Sequence, residues 1–278
     1  MPPEADPHTY ERAPQDAGTI ADADLVFYTG LMYEPSPLVE LLENSVCGSE
    51  ALAEVGESVF PIEFKEGGHD DHDDHGEKGH DDHDEEGHDD HDDHGGHEGH
   101  GHGAYDPHFW FDPNRVVYAS EFIESKLIEL DPSNAASYQA AGDTYATELS
   151  SLTGQVSQLI GSIPSQNRKL ITTHESLGYL EAKFGLEVLS TIIPDLDSSN
   201  EITPAQLVGV IDVIEDNNVK VIFIEAEAPS VYAETIVAET GIKAVEGLWV
   251  ETLKPGQTYQ EFLIAAVELI VENLSNSD

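Results

Sequence analysis

Val219-Lys220-Val221-Ile222-Phe223-Ile224-Glu225 is a mostly apolar run of strand length with no room for a polar face, the pattern of a strand buried on both sides. It is one of four such runs in the C-terminal half: Lys169 to Thr173, Val188 to Ile193, Val219 to Glu225 and Ala244 to Val250. Helical stretches separate them, from Leu177 to Phe184, from Pro204 after its Thr203 cap, and from Tyr232 to Thr240, with a last helix from Tyr259 to Leu274. Strand and helix in strict alternation predict an α/β unit with a parallel sheet.

Working back toward the N-terminus, Tyr138, Tyr145, Leu149, Leu152, Val156, Leu159 and Ile163 recur at spacings of mostly three and four, predicting one long helix over 135–163. A helix of that length can bridge two lobes. Before it, Asp112-Pro113 reads as an N-cap with proline at the first helical position, opening a helix to about Leu130 that Asp131-Pro132 closes. Ala23-Asp24-Leu25-Val26-Phe27-Tyr28, closed by Gly30, reads as another buried parallel strand, Pro37 to Asn44 as a helix, and Ser58 to Phe64 as a second short strand. The expected fold is therefore α/β in two lobes, each a mostly parallel sheet flanked by helices: residues 1–134, a linking helix over 135–163, and residues 164–278. A chain of 278 residues is long enough for two such cores.

His69 to His102 is a low-complexity tract with 11 of the 14 histidines: His69, His72, His75, His80, His83, His88, His91, His94, His97, His100 and His102. It has no apolar side chain to bury, so it is expected to be a loop with low-affinity metal sites rather than a folded element. The chain carries 56 acids against 11 lysines and arginines, a formal charge of −45, and without the tract the balance is still −31. Such a surface repels nucleic acid and anionic lipid, which argues against a DNA or RNA role and makes cations the natural partners. Abundant acids with scarce lysine also resemble proteins that stay soluble where salt screens charge. The lone Cys47, in polar surroundings, excludes an internal disulfide and a cysteine-built zinc site.

Outside the tract only His8, His108 and His174 remain, each at the end of an expected strand or in a loop beside one. In open α/β sheets ligands bind beyond the carboxyl ends of the strands, so three imidazoles there could converge on a zinc ion, with a carboxylate or water as fourth ligand. By spacing alone this stands level with three capped structural histidines, because no local His-x-x-x-His pair anchors it.

Five stretches tip the balance. Asp6-Pro7-His8-Thr9, Ala23-Asp24-Leu25-Val26 leading to Gly30, Asp106-Pro107-His108-Phe109-Trp110-Phe111-Asp112-Pro113, Thr173-His174-Glu175-Ser176-Leu177-Gly178-Tyr179 and Val221-Ile222-Phe223-Ile224-Glu225 resemble, in that order, the zinc/manganese substrate-binding proteins of metal ABC importers, in the zinc-binding subgroup that carries a His-rich loop. The resemblance implies two lobes joined by one rigid helix with the metal between them. It implies His8 and His108 as ligands from the N-terminal lobe and His174 from the C-terminal lobe. Where the family commonly has an aspartate after a late strand this chain has Glu251, one methylene longer, which is read as a fourth ligand, a water-mediated contact or a position left to solvent. Glu225, directly after its strand, is an alternative carboxylate ligand but reads more as a structural or supporting residue, and Glu175 is expected to support His174 rather than bind. Three imidazoles imply Zn2+ as cargo, Mn2+ less so.

The implied role is an extracytoplasmic, monomeric carrier that hands its ion to a permease with its ATPase, with no catalysis. The family also places an export leader, a first strand and a first helix ahead of its first Asp-Pro-His motif. Those are expected to be missing from this sequence. Two other classes stay in view: a zinc hydrolase, for which the sequence has no His-Glu-x-x-His, and a surface adhesin.

Overall fold

The computed structural model describes residues 7–64, 105–195, 200–228 and 230–275. The histidine tract lies outside them.

The first unit is a βαβ arrangement. Helix α1 (Pro14–Ala21) leads into β1 (Val26–Tyr28), α2 (Ser36–Ser45) crosses over, and β2 (Leu52–Glu54) returns parallel to β1 with Val26 opposite Leu52 and Tyr28 opposite Glu54. The second strand is thus Leu52–Glu54, not the expected Ser58 to Phe64. In that stretch Gly56–Val59 is a 3-10 turn and only Glu63 makes a bridge, antiparallel, to Tyr105. The cause is local: Phe60 is left-handed (φ 52°) and Pro61 has no N–H to give a ladder, so an apolar run that reads as strand cannot extend.

Helix α3 (Pro113–Leu130) starts where expected, with the Asp112 carboxylate accepting from the Asn114 N–H at 3.0 Å. It packs along α4 (Ala135–Gly161), 27 residues and so about 40 Å long. The C-terminal unit then alternates β3 (Lys169–Thr172), α5 (Gly178–Phe184), β4 (Glu187–Thr191), α6 (Pro204–Asn217), β5 (Val221–Glu225), α7 (Ala233–Thr240), β6 (Lys243–Leu248) and α8 (Tyr259–Ser275). Its four strands are all parallel, in the order β4-β3-β5-β6. Every residue of β5 is buried, as its unbroken apolar run requires.

The faces follow the two-residue strand period. Leu170, Val221, Phe223 and Val245 join one core with α4, α5 and α8, while Ile171, Ile222 and Ile224 join a second with α6 and α7. The first core runs without a break into the N-terminal unit through Val55, Val59, Phe109 and Phe111, with the Phe111 and Phe262 rings 5.9 Å apart. Along α4 the fully covered stripe is Leu149, Leu152, Val156 and Ile160, confined to its second half; Leu159 from the expected stripe is only partly buried, and Ile160 takes its place. Because the lobes share one apolar core along α4 and α8, separating them exposes that core, which restrains hinge motion. No helix among the described residues is long and apolar enough to cross a membrane.

Candidate metal centre

Strand order makes the site. The chain leaves β3 to one side for β4 and returns on the other side for β5, so the crevice beyond β3 and β5 is a topological switch point. His174 stands two residues past β3, Glu225 is the last residue of β5, and Glu251 follows β6 by three. From the other side come His8, in the 3-10 turn Pro7–Thr9, and His108, which leads the turn Phe109–Phe111 into α3.

The three histidines and Glu251 meet: one ligand atom from each lies within 4.8 Å of the other three. Glu251 Oε1 sits 3.0 Å from His174 Nε2, 3.3 Å from His108 Nε2 and 3.7 Å from His8 Nε2. A tetrahedral zinc shell with bonds near 2.05 Å has ligand-to-ligand edges of about 3.3 Å, so the spacing suits a four-coordinate ion. The Nε2 atoms of His108 and His174 and Oε1 of Glu251 are buried and face one another, with no other hydrogen-bond partner among the described residues. Once the rings give up their protons, three buried lone pairs point at one spot, a donor set that a cation satisfies.

The outward-facing Nδ1 atoms of His108 and His174 are both engaged. Asp106 Oδ1 takes both the backbone N–H and the Nδ1 of His108, each at 2.8 Å. Gly178 makes room for it, since a Cβ there would stand 2.5 Å from Asp106 Oδ2. The buried Glu225 takes His174 Nδ1 at 2.5 Å, the His174 N–H at 3.2 Å and the Ser176 hydroxyl at 3.1 Å. Such partners fix each ring with Nε2 toward the centre and raise its basicity. Glu175, expected to support His174, does not: its carboxylate accepts from the Thr191 hydroxyl at 3.1 Å, because alternate residues leaving a strand face opposite ways. The support from Glu225 matches its expected role, whereas the role of Asp106 was missed despite its place in the quoted Asp-Pro-His motif.

Two further groups hold Glu251. The Tyr33 hydroxyl donates to Oε2 at 2.9 Å, and the Glu227 carboxylate accepts the N–H groups of Val250, Glu251 and Thr252 at 3.3, 3.1 and 3.1 Å. Neither carries a sequence signal, since each is one polar residue in a loop. Tyr33 is presented by a strained turn in which Gly30, Leu31 and Met32 are all left-handed, at φ 77°, 54° and 64°. The two non-glycine residues cost about 1–2 kcal/mol each. Carboxylates offset this by gathering the turn's donors: Glu34 accepts from Thr29 and Gly30 at 2.6 and 2.9 Å, and Glu54 from Leu31 at 3.0 Å.

Charge follows from burial. Burial alone pushes the His108 imidazole down, but Glu251 and Asp106 outweigh it and hold its pKa at about 9. For His174 burial is likewise overcome, by Glu225 first and Glu251 next, so its pKa lies well above the ordinary histidine value. Glu251 is pushed up by burial but carried well below the carboxylate range by the imidazoles. Without metal, the rings of His108 and His174 therefore hold protons at neutral pH opposite the ionised Glu251, and a divalent ion that displaces two protons leaves the buried charge unchanged.

The two-lobed α/β fold with its donor cluster between the lobes is that of a substrate-binding protein for metal ions. The chain belongs to the family described as zinc-uptake complex component A, periplasmic, whose model matches residues 1–273. Curated relatives carry different metals in their names. The manganese-binding lipoprotein MntA of Halalkalibacterium halodurans is 23% identical over 97% of this chain and 78% of its own length. The iron-binding protein YfeA of Yersinia pestis is 23% identical over 97% and 76%, and the high-affinity zinc uptake protein ZnuA of Bacillus subtilis 28% over 99% and 79%. Among solved structures, the periplasmic zinc-binding protein TroA of Treponema pallidum superposes with a TM-score of 0.79 at 21% identity, covering 99% of this chain and 90% of that one. The protein is thus a substrate-binding protein of the metal ABC transporter type, and its family carries metal rather than catalysing a reaction.

Proposed function

We propose that this chain captures Zn2+, with Mn2+ as a weaker alternative, using His8, His108, His174 and Glu251, and delivers it to an ABC permease driven by its ATPase. The observation that carries this is the convergence of four ligand-capable atoms within 4.8 Å of one another, with the buried Nε2 atoms of His108 and His174 aimed at Glu251 Oε1 and at no other described partner. Three imidazoles and one carboxylate suit zinc better than manganese, which prefers more oxygen ligands. We further propose that it acts outside the cytoplasm as a monomer, with lobes at 1–134 and 164–278 joined by 135–163, and that the histidine tract is an accessory collector.

The test is zinc stoichiometry and affinity by chelator competition on three proteins: the intact chain, a deletion of His69 to His102, and that deletion with His108→Ala and His174→Ala. The expected result is one tight ion that survives the deletion and disappears with the two histidines. Loss of all tight binding on deleting the tract alone refutes the interlobe site.

A further inference from the structure

Glu251 is the ligand whose behaviour is least constrained by its own chemistry. A glutamate has one more rotatable bond than an aspartate, and its carboxylate can bind a metal through one oxygen or two. Two-oxygen binding raises the coordination number beyond four, which suits manganese and disfavours tetrahedral zinc. Here the two oxygens are not equivalent. Oε1 faces the three imidazoles at 3.0, 3.3 and 3.7 Å, while Oε2 accepts from the Tyr33 hydroxyl at 2.9 Å. The backbone is pinned as well: the loop carrying Glu251 gives three consecutive N–H groups to Glu227, and the Val250 carbonyl accepts from Trp110 Nε1 at 2.7 Å.

Resting on the four-ligand reading above, we propose that Tyr33 and Glu227 are positioning residues that make Glu251 a one-oxygen ligand, and so set the preference of the site for four-coordinate zinc over manganese. Tyr33 works across the cleft. It belongs to the turn after β1, whereas Glu251 follows β6, so the ligand of one lobe is oriented by a hydroxyl of the other. The left-handed backbone at Leu31 and Met32, held by Glu34 and Glu54, aims that hydroxyl. Glu227 acts through the main chain, fixing the depth at which the longer side chain starts.

The experiment uses the full chain with Tyr33→Phe and, separately, Glu227→Gln. Each is loaded with one equivalent of cobalt(II), and the visible spectrum is taken as a difference against the full chain carrying His108→Ala and His174→Ala, which cancels any cobalt held elsewhere. Zinc and manganese affinities are measured by competition, and melting of the metal-free protein is recorded as a control. The expected result is an intense four-coordinate cobalt band in the parent chain, weakened severalfold in Tyr33→Phe as Oε2 turns onto the metal. The ratio of zinc to manganese affinity falls at least tenfold in that variant, and Glu227→Gln shifts both readouts the same way by less. Spectra and metal ratios that match the parent in both variants overturn the proposal, as does an equal loss of zinc and manganese affinity with an unchanged spectrum, since that is what mere loosening of the fold produces. A parent chain whose cobalt spectrum does not differ from the double-alanine chain overturns the four-ligand reading itself, and this inference with it.

Discussion

Loading the site with zinc at pH 7 should release about two protons to the buffer. The count comes from the metal-free site: His108 titrates at about 9 and His174 well above 6.5, so both rings hold a proton at pH 7, while Glu251 is already ionised. Each must lose its proton before Nε2 can bind metal. With two protons exchanged, zinc affinity changes about 100-fold per pH unit below pH 8, or roughly 2.7 kcal/mol of binding free energy per unit. Affinity therefore falls steeply as pH drops from 8 to 6, and acidification releases the ion. Isothermal titration calorimetry at pH 7 in three buffers of different ionisation enthalpy reads the proton count directly, and the tract deletion removes any contribution from its eleven histidines. Release of less than one proton, or an affinity unchanged between pH 6 and pH 8, refutes the reasoning.

Stability of the metal-free protein should follow the same protons. A histidine whose folded pKa is raised stabilises the fold fully below its unfolded value near 6.5 and loses that contribution as pH rises through the folded value. Metal-free protein should accordingly lose about 3 kcal/mol from His108 alone between pH 6.5 and pH 9.5 in denaturant titrations, with His174 adding in the same direction, while zinc-loaded protein changes little over that range. Glu225→Gln removes the charge behind His174 Nδ1 and should weaken zinc binding about 10-fold or more in chelator competition. With 56 acids against 11 lysines and arginines, melting in 50 mM salt should fall well below melting in 2 M potassium chloride; equal melting temperatures refute a salt-dependent fold.

Local patterns in the chain were enough to place most elements. The Asp112-Pro113 start of α3, the Thr203 cap of α6 and the apolar run of β5 appear where the sequence puts them, because a cap, a fixed proline φ and burial on both faces are decided within a few residues. Residue type also singled out His8, His108 and His174, the only histidines outside the tract, while Glu251 was reached only through the resemblance, at the position where the family commonly has an aspartate. The second strand of the first sheet escaped, since Leu52-Ala53-Glu54 is short, while the more apolar stretch after Ser58 is broken by Pro61, a signal the sequence does carry, and by a left-handed Phe60, which it does not announce.

What the tertiary structure alone decided is who meets whom. The strand order β4-β3-β5-β6 puts Glu225 behind His174, although the two are 51 residues apart, and turns the adjacent Glu175 away toward Thr191. Packing along α4 and α8 brings Tyr33 to Glu251 across 218 residues of chain. Periodicity and caps are short-range properties and can be read along a sequence. The orientation of a ligand depends on hydrogen bonds between segments whose proximity is set by sheet order and by the shared core, and neither is written in any local stretch of residues.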